Sequence, residues 1–189
     1  MESILSREII INKRVLRFLA VTTFIALITL SAFVRIPLPF TPVPLTLQTL
    51  FVLLSGALLG RRLGLLAQAG YISLGLTGFQ VFTGLGSGSL YLLGPTGGYI
   101  VGFVLASFFA GSLFSEGKHS YRKVFLSFLC ADFIILFSGM FWLKISLSCP
   151  FSQAFWLGFL PFVPGDLLKV VLATVVFSKI HSRIKTSLY

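Results

Sequence analysis

The chain has 189 residues, of which 56% are hydrophobic, 15% aromatic and only 11% charged, with 21 Phe. That excludes an ordinary soluble domain and leaves no polar stretch long enough for a soluble catalytic domain, so one membrane domain over 1–189 is expected. The net charge of +10 would suit nucleic acid only if the cations shared one face; they are scattered through short loops, where membrane topology explains them better.

Residues 1–14 are polar and basic and are expected along the membrane surface. Lys13, Arg14 and Arg17 before an apolar run resemble a signal peptide. The run continues to Val34 without a clear small-residue cleavage site, so it reads as a retained first span, about 15–34. It carries Thr22 and Ala26, a small-xxx-small pair suited to close helix contact. Arg35 to Pro44 follows, with prolines at 37, 39, 42 and 44 that cannot continue a helix.

Two short spans are expected next, 45–60 and 63–78, separated by Arg61 and Arg62. A single re-entrant hairpin is disfavoured, because its tip would leave two guanidinium groups at membrane depth. Gln48 and Gln68 read first as interhelical hydrogen-bonding residues, with Gln48 also a ligand candidate near the outer end. Residues 79–93 form a loop rich in Gly and Ser, including Gly84, Gly86, Ser87 and Gly88. Pro95 suits the first position of a fourth span, 95–115. Gly98, Gly102, Ala106 and Ala110 recur along it every four residues, a smooth stripe for tight packing.

After a polar patch from Glu116 to Lys123, a fifth span covers 124–143, with Asp132 near its middle and no partner evident. Residues 152–162, with Trp156, suit an interfacial segment before the last span, 164–180. That span opens with Pro164-Gly165-Asp166-Leu167-Leu168-Lys169. Asp166 and Lys169 lie three residues apart and so share one helix face. Each charge costs roughly 2.5–3.5 kcal/mol on insertion scales, a burden usually carried for function.

Six spans with the N-terminus inside place Arg7, Lys13, Arg14, Arg17, Arg61, Arg62, Lys118, Arg122, Lys123, Lys179, Arg183 and Lys185 on the inner side. Only Arg35 and Lys144 fall outside, as the positive-inside rule demands. Both termini are then cytoplasmic, and the glycine loop, the proline loop and the Asp166–Lys169 helix start all face outward. Lys169 and the free N–H groups of that helix start suit a solute carboxylate, while Asp166 accepts from N–H donors elsewhere on the solute. Phe40, Phe82, Tyr91 and Trp156 are candidate walls for an apolar middle.

Catalytic signals are absent. Gly94-Pro95-Thr96-Gly97-Gly98 lacks the Lys-Ser/Thr of a P-loop. His119 and His181 are far apart in sequence and read as solvated surface groups, and Cys130 and Cys149 sit in settings too different for a disulfide or metal site. Neither a cofactor nor a metal is expected in this chain, and no enzyme activity.

Three segments, IPLPFTPVPLTLQTL, LGPTGGYIVGF and LPFVPGDLLKVVLA, resemble the BioY family, the biotin-specific S components of energy-coupling factor transporters. The resemblance runs from about residue 15 to 180. It implies an all-α, six-helix S-component bundle that binds biotin near its outer face. It also implies a transmembrane coupling protein and two cytoplasmic ATPases as partners, which would use the ATP. By motif, Asp166 and Lys169 match the family's polar pair and the loop around Thr83, Gly84 and Gly86 its ligand-covering loop. No Asn stands in that loop, where some relatives use one at the ureido ring, so a backbone group or Ser87 substitutes. Thr22 and Ala26 are the nearest match to the Ala-xxx-Ala signature for coupling-protein contact. The site residues are thus Asp166, Lys169, Thr83, Gly84, Gly86, Ser87, Tyr91, Gln48 and Phe40. Alternatives are another carboxylated vitamin or solute on the same scaffold, a membrane enzyme using Asp166 and Asp132 as acid and base, or a scaffold without ligand.

Overall fold

Long apolar runs hydrogen-bond internally, and the turn-forming residues between them set where each helix stops. A computed structural model describes residues 13–114 and 119–188, with side chains through 181. Most of the 1–14 segment, with Arg7, lies outside the described residues, as do Glu116 to Lys118 of the polar patch and the side chains of Arg183 and Lys185. Helix α1 is Lys13–Phe33. Strands β1 (Arg35–Ile36) and β2 (Leu45–Thr46) follow, then α2 (Gln48–Leu76), a 3₁₀ turn at Thr83–Leu85 and α3 (Ser89–Leu93). Helices α4 (Gly97–Leu113), α5 (Tyr121–Ser146), α6 (Phe151–Gly158) and α7 (Val163–Leu188) complete the order.

Helix α2 is folded back on itself. Gly60 has φ 76° and ψ 169°, a conformation side-chain-bearing residues rarely adopt. The arms 48–59 and 61–76 run antiparallel. Gln68 Nε2 donates to Ser55 Oγ at 2.9 Å, and Gln48 Nε2 donates to Tyr71 Oη at 2.7 Å further along. Arg61 and Arg62 occupy the exposed tip. The two spans expected at 45–60 and 63–78 correspond to these arms, except that Leu45 and Thr46 form β2. That strand pairs antiparallel with β1, Arg35 opposite Thr46 and Ile36 opposite Leu45, and closes the proline loop.

Helix α4 packs between α2 and α5, α7 closes against α2 and α5, and α1 lies on α2. The small-residue stripe of α4 allows this. A Cβ on Gly98 would lie 2.1 Å from Trp142 Cβ, and Ala106 and Ala110 are fully buried. Pro95 is not the first helical residue, because Thr96 is the N-cap and α4 starts at Gly97. The glycine-rich loop is not wholly irregular either: Gly88, at φ 81°, precedes the short helix α3. Helix α5 begins three residues before the expected Val124, because the Ser120 hydroxyl accepts the Lys123 N–H at 3.3 Å and caps it.

The outside of the bundle is apolar, with Leu66, Val101, Leu105, Phe137, Phe141, Leu168 and Leu172 exposed. Gln48, Ser55, Gln68, Ser107, Asp132, Asp166 and Lys169 are buried. That inversion is the arrangement lipid requires, since polar groups must find partners inside. Lys13–Phe33 and Tyr121–Ser146 are long and apolar enough to cross a membrane; Gln48–Leu76 is so by length and composition, but its reversal at Gly60 divides it into two shorter arms. Phe151–Gly158 with Val163–His181, bent by 50°, makes a fourth such unit.

One expectation is overturned at the end away from Gln48. His119 and His181 are not separate surface groups: their ring centroids lie 5.7 Å apart, half-buried, against Phe114 and Phe177. Sequence separation of 62 positions hid a contact made by α7 passing the start of α5.

Candidate functional site

A cavity of about 50 Å³ lies at the end of the bundle where α2 and α7 begin. Helix α7 supplies Asp166 and Lys169, 2% and 6% exposed. The Lys169 ammonium pairs with the Asp166 carboxylate, Oδ1, one helical turn away, and donates to the Thr46 carbonyl at 2.9 Å. Thr49 Oγ1 donates to Asp166 Oδ1 at 3.4 Å. Asp166 is in the first turn of α7, where the helix dipole favours an anion. The rest of that helix start offers less than the sequence suggests: Pro164 has no N–H, and the Asp166 N–H is bonded to the Phe162 carbonyl at 2.8 Å. Lys169 is therefore the principal cationic feature.

The second polar wall comes from α2. Gln48 lines the cavity while serving between the arms. It donates to Tyr71, and its Oε1 accepts from Thr46 Oγ1 at 3.3 Å. Tyr71 Oη lies 3.4 Å from the Val81 carbonyl, which joins α2 to the glycine-rich segment. From that segment Thr83 and Tyr91 reach the cavity. Thr83 Oγ1 donates to the Ala32 carbonyl at the end of α1, 3.2 Å away, and Tyr91 stacks on Phe82 with centroids 4.9 Å apart.

The apolar walls differ from those expected. Tyr99, Ile100 and Phe103 of α4, Ile135 and Leu136 of α5, and Phe162 line the cavity. Phe40 and Trp156 do not; they are 57% and 63% exposed on the outer surface. Phe82 is fully buried behind Tyr91 and Tyr71 rather than on the cavity. Gly84, Gly86 and Ser87 also do not line it. Gly86 instead makes room for the Tyr91 ring, which a Cβ there would meet at 2.2 Å, and Gly84, at φ 73°, turns the chain beside Arg35.

Tyr71, Tyr99, Phe103, Phe162, Thr46, Thr49 and Thr96 are cavity residues that the sequence reading did not single out. Tyr71 and Tyr99 carried a usable signal, because a tyrosine hydroxyl inside an apolar run needs a buried partner. Tyr99 Oη finds the Gly158 carbonyl at 2.5 Å. Asp132, which had no evident partner, lies on α5 one turn from Ile135 and Leu136. It is 3% exposed, its Oδ1 has no hydrogen-bond partner among the described residues, and its charged neighbours are Asp166 and Lys169. Among the described residues, no group of three or more His, Cys, Asp or Glu could hold a metal ion.

The cavity thus combines a buried acid–base pair, an amide and aromatic walls. The family model for the BioY family matches residues 6–186. A probable biotin transporter BioY of Pyrococcus horikoshii is 39% identical over 161 residues, 85% of this chain and 93% of the relative. The biotin transporter BioY of Thermotoga maritima is 42% identical over 153 residues, 81% and 88% of the two chains. The fold superposes with a TM-score of 0.84 and 26% identity on a 2.1 Å crystal structure of the S-component for biotin from an ECF-type ABC transporter, covering 90% of this chain and 93% of that one. This chain belongs to the BioY family.

Proposed function

We propose that the cavity enclosed by α2, α4, α5 and α7 is a biotin site, and that Asp166 and Lys169 read the two ends of the solute. The chain acts in biotin uptake as the substrate-specific component of an ECF-type transporter. It is a multi-pass protein of the cytoplasmic membrane and not an enzyme. The observation that carries the site is the nearly complete burial of an acid and a base in a cavity whose other walls are uncharged. In this scheme Lys169 leaves the Thr46 carbonyl for the solute carboxylate. Asp166 accepts from the ureido N–H groups, and Tyr99, Phe103 and Phe162 cover the apolar middle.

At about 50 Å³ the cavity holds a few waters, whereas a small-molecule site usually spans roughly 300–1,000 Å³. Binding therefore requires its walls to part. The walls supplied by residues 43–46 and 83–91 are turns and short elements, easier to displace than the helices beneath them. Gly84 and Gly86 act there by shaping that segment, and Phe40 lies exposed in the middle of the proline loop.

Counting the arms of α2 separately, and α6 with α7, gives six spans, with the cavity on the outer side and both termini cytoplasmic. The charge distribution supports this orientation. Lys13, Arg14, Arg17, Arg61, Arg62, Arg122, Lys123 and Lys179 sit toward the end opposite the cavity, and Arg35 and Lys144 toward the cavity end. Energy would come from a transmembrane coupling protein and two ATPases, because this chain carries no nucleotide-binding motif.

Purified chain should bind labelled biotin without ATP or magnesium, and unlabelled biotin should displace it better than other carboxylated vitamins. Failure to bind, or preferential displacement by another vitamin, would overturn the substrate assignment. In intact cells, an impermeant thiol reagent should label a cysteine placed at Ser87 but not one placed at Ser120; the reverse would overturn the orientation.

A further inference from the structure

Phe82 is a fully buried ring in a glycine-rich segment, and it does not line the cavity. It lies between two rings that do. Tyr71 meets it edge to face with centroids 5.5 Å apart, and Tyr91 stacks on it at 4.9 Å. Both are arrangements that aromatic pairs prefer.

The seat for this ring is on the second arm of α2. A Cβ on Gly75 would overlap the outer edge of the Phe82 ring, so the glycine leaves a notch that the ring fills. The same stretch of α2 ties down the backbone on either side. The Gly88 N–H donates to the Gly75 carbonyl at 2.8 Å, and Tyr71 Oη donates to the Val81 carbonyl at 3.4 Å. Between these ties the Phe82 N–H donates to the Gly86 carbonyl at 3.1 Å, and Gly86 leaves room for the Tyr91 ring. The notch therefore sets where Tyr91 stands. The tip at Thr83–Leu85 lies outside these ties and is held to α1 through the Thr83 hydroxyl.

We propose that Phe82 is a positioning residue for binding: seated in the Gly75 notch, it holds the Tyr91 ring as a fixed wall against which the apolar part of the solute packs. The inference rests on the cavity being the biotin site. Phe82 touches no solute and acts only through Tyr91. A ring ordered before the solute arrives spares binding the entropy of immobilising it. When the walls part, the tip and the proline loop move while Tyr91 stays on Phe82.

A double-mutant cycle on the biotin affinity of the full chain in detergent tests this, with thermal unfolding of every variant followed in parallel. Phe82→Ala and Tyr91→Ala should each weaken biotin binding by roughly three- to ten-fold, the worth of an aromatic contact. The double variant should match Tyr91→Ala alone within about two-fold, because Phe82 then has nothing left to position. Gly75→Ala fills the notch without changing any cavity residue, and alanine suits a helix interior. It should reproduce the loss seen in Phe82→Ala, an arm that does not depend on the core tolerating a hole. Losses that add in the double variant would overturn the proposal, as would Tyr91→Ala binding like wild type. So would folded Phe82→Ala or Gly75→Ala with an affinity within about two-fold of wild type, even at a lowered unfolding midpoint, because Phe82 would then only pack. Absence of biotin binding to wild type would instead overturn the site assignment beneath it.

Discussion

The two ends of the bundle solve the burial problem in opposite ways. At the cavity end, Gln48, Thr49, Tyr71, Asp166 and Lys169 are buried and hydrogen-bonded around a space left unfilled. At the other end, Phe114, Phe128 and Phe177 fill the interior, with Phe114–Phe177 centroids 4.6 Å apart. There a Cβ on Gly111 would lie 2.5 Å from the Arg61 backbone nitrogen. One end holds the helices together by close packing and has nowhere to put a solute. The other gives up packing to keep polar groups addressable. The division predicts that stability and binding can be damaged separately.

The largest effect should come from the packed end. Phe177 is 1% exposed, and Phe177→Ala removes dispersion contacts that hold membrane helices together. By analogy with soluble cores, the loss is about 3 kcal/mol. Thermal unfolding in detergent should show a lower midpoint, while the affinity of the folded fraction stays within about two-fold. A large loss of affinity at unchanged stability would break the comparison. At the cavity end, Asp166→Asn should weaken both biotin and its neutral amide, since both keep the ureido donors. A charge-assisted hydrogen bond contributes about 1.5–3 kcal/mol, or roughly ten- to a hundred-fold in affinity.

Smaller effects sharpen the outline of the site. Tyr71→Phe removes the acceptor of Gln48 Nε2 and the donor to the Val81 carbonyl, two neutral hydrogen bonds worth about 1 kcal/mol each; equilibrium binding should weaken by less than about ten-fold. Ser87→Ala and Phe40→Ala touch residues that do not line the cavity. Each should leave affinity within the roughly ±0.5 kcal/mol typical of surface changes. A ten-fold loss at either would mean that residues 83–91 and the proline loop close much further over the solute than here.

Asp166 and Lys169 were legible because a charge in an apolar run stands out and three-residue spacing fixes its face. The break at Arg61-Arg62 was legible for the same reason, although the sharp reversal itself depends on the backbone of Gly60. The rings were not. In a soluble helix, apolar periodicity marks the inward face, but in lipid both faces are apolar. Phe162 on the cavity and Trp156 on the outside are therefore alike in sequence. Asp132 was visible as an anomaly, yet its relation to Lys169 depends on α5 packing beside α7, which no local pattern encodes. His119 and His181 were misjudged on the same ground.

Lys169 either reads the solute carboxylate or merely holds Asp166 in place, and one paired affinity measurement separates the two. Biotin and a neutral biotin amide are titrated into wild type and into Lys169→Met, with folding of each monitored by thermal unfolding. A lysine that reads the carboxylate means a loss of roughly ten- to a hundred-fold for biotin in Lys169→Met, with the amide largely spared. Equal losses for the two ligands, or no loss for either in a folded variant, would contradict it and leave Lys169 as a packing partner of Asp166.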